Sequence, residues 1–75
     1  MDIETLNRLI GDELRAARAR RKLSRDALAH ASGISAKTIQ RLENGERPAD
    51  VSQMVAICGA LGESIVELMG RAVSR

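Results

Sequence analysis

Lys37, Gln40, Arg41 and Asn44 recur at the spacing of a single helix face, and each ends in hydrogen-bond donors. At 100° per residue they form one stripe opposite Ile39 and Leu42. A lysine donates to guanine O6 or N7, and a glutamine bonds adenine through two hydrogen bonds, so such a stripe has the chemistry to read base edges. Any surface helix also shows a polar stripe to water, and the stripe by itself leaves these two readings level. A second concentration of charge precedes it. Arg15, Arg18, Arg20, Arg21, Lys22 and Arg25 run without an acid among them. Such a run is either an ordinary solvated face or a source of phosphate contacts.

Other chemistry-bearing groups are sparse. Asp26 and His30 sit four residues apart on one prospective helix face, but no third or fourth metal ligand accompanies them, and a surface pair is the better reading. Ser24, Asp26 and His30 include the residue types of a hydrolase triad, yet they share one short helix and lack a glycine-flanked nucleophile turn. No enzymatic activity is expected. Gly59-Ala60-Leu61-Gly62 matches a GxxG pattern, but no strands accompany it, and a helix end with a linker accounts for both glycines. Cys58 follows helix periodicity beside Ile57 and reads as a small core residue.

Composition narrows the partners. With 75 residues the chain holds one small domain, taken as residues 1–75 with a core at about 10–70. Phe, Tyr and Trp are all absent, which removes the stacking platforms used to hold exposed bases. A nucleic-acid partner is therefore expected to be double-stranded DNA. One cysteine and one histidine exclude a disulfide framework and a four-ligand zinc site, so neither metal nor cofactor is expected. The longest unbroken apolar stretch, Met54 to Cys58, is far below the roughly 20 residues needed to cross a bilayer. The charged N-terminus resembles no signal peptide, and a cytoplasmic location without membrane contact follows as an expectation. The formal charge is only +2, so the distribution of charge matters more than its sum.

Five helices are required to carry these groups, and an all-α domain is predicted. Leu6, Leu9, Ile10, Leu14 and Ala17 mark the first, with Asp2 as its N-cap. Gly11 weakens a helix interior by about 1 kcal/mol, so a frayed or separate turn is expected before it, and Asp12 to Arg21 forms the firm part. Ser24 caps a second helix at about 25–32, with Ala27, Leu28 and Ala31 as its apolar positions. Gly33 stops it, Ile34 plugs the turn, and Ser35 caps a third helix at about 36–44. Asp50 with Gln53 starts a fourth whose core side is expected at Val51, Met54, Val55, Cys58 and Leu61. Ser64 with Glu67 has capping-box spacing for a fifth, and residues beyond Gly70 are expected to form a loose tail.

A short helix, a tight turn and a polar-faced helix match the layout of a helix-turn-helix, whose second helix enters the major groove. Leu23-Ser24-x-x-x-Leu28-Ala29, Gly33-Ile34-Ser35, Thr38-Ile39 and Leu42-Glu43-Asn44-Gly45-Glu46-Arg47 resemble the lambda-repressor-like helix-turn-helix family of phage Cro and repressor proteins. The resemblance runs from about Ile10 to Met69 and extends to the arginine-rich first helix and the Ala60-Leu61-Gly62-x-Ser64 junction. It implies that the third helix is the recognition helix, with Ala36, Lys37, Gln40 and Arg41 toward base edges. It likewise implies phosphate contacts from Arg25, Ser35, Thr38, Asn44 and Arg47. The arginine run leads into that corner, which favours Arg21 and Lys22 for phosphate as well. Arg18 and Glu43 resemble the family's structural ion pair. Three positions depart from its pattern: Arg25 replaces a frequent Gln that touches phosphate and braces the recognition helix, Lys22 a frequent Gly, and Glu63 a frequent apolar residue.

The reading that follows is a sequence-specific duplex-DNA-binding transcriptional regulator, a repressor or controller, acting as a homodimer on a palindromic operator. Ile65, Val66 and Met69 are candidates for the dimer contact. No small-molecule ligand is expected. The alternative is a protein-interaction module, such as a toxin-binding antitoxin, with DNA binding secondary.

Overall fold

Each helix begins where the sequence supplies a side-chain oxygen for otherwise unpaired amides. In the computed structural model, which describes residues 1–75, α1 spans Ile3–Arg20, α2 Arg25–Ser32, α3 Ala36–Glu43, α4 Val51–Leu61 and α5 Ile65–Val73. Asp2 accepts from Thr5 N at 2.7 Å, Ser24 from Ala27 N at 3.0 Å and Ser35 from Thr38 N at 3.1 Å. Asp50 accepts from Gln53 N, while the Gln53 side chain accepts from Asp50 N, which completes a capping box. Ser64 accepts from Glu67 N at 3.2 Å, but the reciprocal half of the box anticipated there does not form. Caps of this kind contribute about 1 kcal/mol each. The amide of Thr5, donating to Asp2, also holds that carboxyl below its ordinary value.

One aliphatic core joins all five helices. Leu14, Ala17, Leu28, Ile39, Leu42, Met54, Ile57, Cys58, Leu61 and Leu68 form it, with Ile34 and Leu23 packed against its edge. Helix α1 lies against α3 and α5, and α2 against α3 and α4. Burial pushes the Cys58 thiol above its ordinary value, as suits a packing residue.

Several expectations are corrected. Helix α1 is unbroken through Gly11, which is buried because the backbone of α3 comes against it: an added Cβ would lie 2.4 Å from the Leu42 carbonyl oxygen. Tertiary approach outweighs helix propensity there. On α4, Val51 is 75% exposed and Val55 56%, whereas Ile57 is buried. The buried stripe is Met54, Ile57, Cys58 and Leu61, and Val55 lies about 100° of helix rotation from Met54. On α2, Ala27 and Ala31 are exposed while Leu28 is buried and Ala29 packs on the core.

The residues beyond Gly70 are no loose tail. Helix α5 continues to Val73, Ala72 is fully buried, and Arg71 and Arg75 tie the helix end to α1. Helix α3 ends at Glu43, one residue before the expected end, with Asn44 as its C-cap.

Candidate nucleic-acid interface

The turn between α2 and α3 follows from three residues. Gly33 adopts φ 76°, the left-handed region open to glycine, and its amide donates to Ala29 O at 2.9 Å. Ile34 packs on the core, and Ser35 then starts α3. Helix α3 buries Ile39, Leu42 and Glu43, and it leaves Lys37, Gln40 and Arg41 exposed. Ala36 and Thr38 are half-buried. Arg18, Ser24, Arg25, Asp26, Ala36, Lys37 and Gln40 line an open cleft where the starts of α2 and α3 face each other. The first residues of both helices thus border one polar depression, and two helix dipoles favour negative charge there.

Glu43 is the organising charge behind this face. Its side chain has no exposed surface, yet it carries a carboxylate, and three arginines from two other helices surround it. Arg18 grips it with both edges of the fork, Nε to Oε2 at 2.6 Å and Nη2 to Oε1 at 3.0 Å. The Glu43 hydrogen bond holds the Arg18 guanidinium above its ordinary value. Arg18 Nη1 also donates to Leu23 O at 2.8 Å, which pins the α1–α2 connection. Arg25 Nε donates to Glu43 Oε1 at 3.1 Å, so the arginine that replaces a frequent Gln makes a brace of its own to α3. No buried side-chain nitrogen or oxygen is left without a partner.

The remaining sequence-predicted positions fall into two groups. Ser35 Oγ, besides capping α3, donates to Thr38 Oγ1 at 2.9 Å, so both hydroxyls sit together at the helix start. Asn44 Nδ2 donates to Glu46, its Oδ1 accepts from Arg15, and Arg47 is exposed in the loop after α3. Arg21 instead reaches the α4–α5 junction, where Nη2 donates to Gly62 O at 3.3 Å. Lys22 holds φ 55°, the conformation a glycine adopts freely, and it remains exposed. Sequence reasoning missed Arg15, whose ties to the end of α3 leave no signature in local spacing. No group of three or more His, Cys, Asp and Glu side chains comes together.

A helix-turn-helix family model matches residues 14–68. The chain belongs to the lambda-repressor-like helix-turn-helix family. Within the matched span α2, the tight turn and α3 have the helix-turn-helix layout, and the chain carries the DNA-binding domain of a transcriptional regulator. Among Bacillus subtilis proteins, the HTH-type transcriptional regulator RghRB is 38% identical over 64 residues, covering 80% of this chain and 46% of RghRB. The HTH-type transcriptional repressor RghR is 46% identical over 48 residues, covering 59% of this chain and 36% of RghR. The chain therefore spans less than half the length of either relative.

Two crystal structures of the clp gene regulator ClgR from Corynebacterium glutamicum superpose with TM-scores of 0.86 and 0.87 at 29% identity. Each covers 92% of this chain, and the chain covers 90% and 73% of theirs. The helix-turn-helix chain thus shares its whole architecture with a regulator. None of its helices is by itself long and apolar enough to cross a membrane.

Proposed function

We propose that the chain is one sequence-specific duplex-DNA-binding domain that represses transcription from a palindromic operator as a homodimer in the cytoplasm, without a cofactor or small-molecule ligand. The observation that carries this reading is the exposed donor set of α3 beside the polar cleft at the starts of α2 and α3. Ala36, Lys37, Gln40 and Arg41 meet base edges in the major groove. Arg25, Ser35, Thr38, Asn44 and Arg47 take phosphates, and Arg21 and Lys22 extend that set along the backbone. Arg18 and Glu43 keep the helices in register. The repressor assignment is supported by the name of RghR.

One recognition helix covers a handful of base pairs, and two half-sites about one helical turn apart supply useful specificity. Among the expected dimer residues, Val66 is 77% exposed, whereas Ile65 and Met69 pack against the core. Selection from a randomised duplex library at physiological salt tests the proposal. Enrichment of a two-fold symmetric site is the expected result. Folded protein that enriches nothing refutes it and favours a protein-interaction module, such as an antitoxin that covers a toxin.

A further inference from the structure

Three α1 residues converge on the C-terminal end of α3 from outside the hydrophobic core. Arg8, Gly11 and Arg15 lie on one stripe of α1, at positions i, i+3 and i+7. At Gly11 the backbone of α3 comes so close that an added Cβ would stand 2.4 Å from Leu42 O and 2.6 Å from Glu43 O. At Arg8 the approach is reciprocal, since a Cβ on Gly45 would lie 2.9 Å from Arg8 Cα. Arg15 closes the set: its Nη2 donates to Glu43 O at 3.0 Å and to Asn44 Oδ1 at 2.8 Å. Glu43 O is one of the last carbonyls of α3, without a partner inside the helix, and a guanidinium there both satisfies it and answers the negative end of the dipole.

We infer that Arg15 is a positioning residue for DNA binding, acting by holding the α3 terminus and the turn that leads to Arg47. This rests on the reading of the chain as a DNA-binding protein. The turn it grips carries Asn44 and Arg47, two members of the phosphate-facing set, and Asn44 is further tied to Glu46. Arg8 and Gly11 precede the family match, which begins at residue 14. They supply the flush backbone surface against which Arg15 draws the turn. Arg15 is 45% exposed and does not sit in the aliphatic core, so its replacement leaves the packing intact.

The alternative role for an exposed arginine is direct attraction of phosphate, and two variants separate the roles. Arg15→Lys keeps the charge, but its ammonium ends one bond short of the position from which Nη2 serves both Glu43 O and Asn44 Oδ1. Wild type, Arg15→Ala and Arg15→Lys are titrated, as the full chain, against the duplex that wild type enriches, over a series of salt concentrations. A positioning residue predicts about a tenfold loss of affinity in both variants with the salt dependence unchanged. A direct phosphate contact predicts near-wild-type binding for Arg15→Lys, and for Arg15→Ala a log-log salt slope shallower by about 0.9. That result overturns the inference, as does unchanged affinity in both variants.

Amide hydrogen exchange of Gly45 and Glu46, which donate to Leu42 O and Arg41 O, gives a readout that needs no DNA. It is expected to quicken in both variants, and unchanged exchange overturns the tie itself. Failure of wild type to enrich any duplex, with exchange quickened in the variants, overturns the DNA-binding reading and leaves the tie as an architectural contact alone.

Discussion

Helix α1 carries an ionic cluster on each of two sides, and the two differ in burial more than in chemistry. Toward α2 and α3, Glu43 has no exposed side-chain surface and faces Arg15, Arg18 and Arg25. Toward α5, Glu13 and Glu63 are 7% and 17% exposed, and Arg71 bridges them through Nε to Glu13 and Nη2 to Glu63, both at 3.0 Å. Arg75 adds a second contact to Glu13 at 3.1 Å, and Arg20 a second to Glu63 at 2.7 Å. The α5-side arginines are all about half exposed, so screening keeps each pair weak, whereas on the α3 side Arg18 is only 16% exposed. The Glu43 carboxylate has no water to fall back on, so Arg18, its bidentate and least exposed partner, is obligatory. The α3 side is consequently a rigid joint, whereas the α5 side is a strap that salt loosens.

This contrast predicts a graded series. Removing the charge with Glu43→Gln leaves Arg18 without its carboxylate, and a loss of about 3–5 kcal/mol is expected in urea denaturation. A loss below about 1 kcal/mol would show that the joint relaxes like a surface pair. Gly11→Ala forces the α1 backbone off α3, because the obstructing atoms are carbonyl oxygens, and is expected to cost about 1–3 kcal/mol. Glu13→Gln, where the side chain is nearly buried, should fall below that, at about 1–2 kcal/mol measured the same way. An effect as large as that of Glu43→Gln would erase the distinction between the two sides.

The smallest effect is expected at Glu63, where Glu63→Gln should cost less than about 1 kcal/mol at neutral pH. Its carboxyl is held below the ordinary 4.5, chiefly by the Arg20 hydrogen bond, so the folded chain binds fewer protons than the unfolded one. The stabilisation is complete above the unfolded value and is lost as pH falls through the lower folded value. Thermal unfolding followed from neutral pH into that acid range should therefore show a shallower decline for Glu63→Gln than for wild type. A parallel decline would place the acid-sensitive charge elsewhere, with Asp2, also held low by its cap, next in line.

Much of the molecule was legible without coordinates. Asp2, Ser24, Ser35, Asp50 and Ser64 announced all five helix starts, since a cap depends on residues within one turn of each other. The exposed donors Lys37, Gln40 and Arg41 were readable for the same reason, because helical phase relates them to Ile39 and Leu42. The Arg18–Glu43 contact was anticipated from the family resemblance, and the structure adds Arg25 and Arg15 around the same carboxylate.

The sequence by itself determined helix identity, the starts of the helices and the polar face of α3, all consequences of interactions between residues three or four apart. Tertiary structure alone decided that Gly11 is a contact point and not a break, that Val51 and Val55 face water, and that residues after Gly70 continue α5. It also decided that Arg15 closes on α3 across 28 residues of chain. Those outcomes depend on which surfaces meet after the chain folds back on itself. A propensity of about 1 kcal/mol at one glycine yields to that packing.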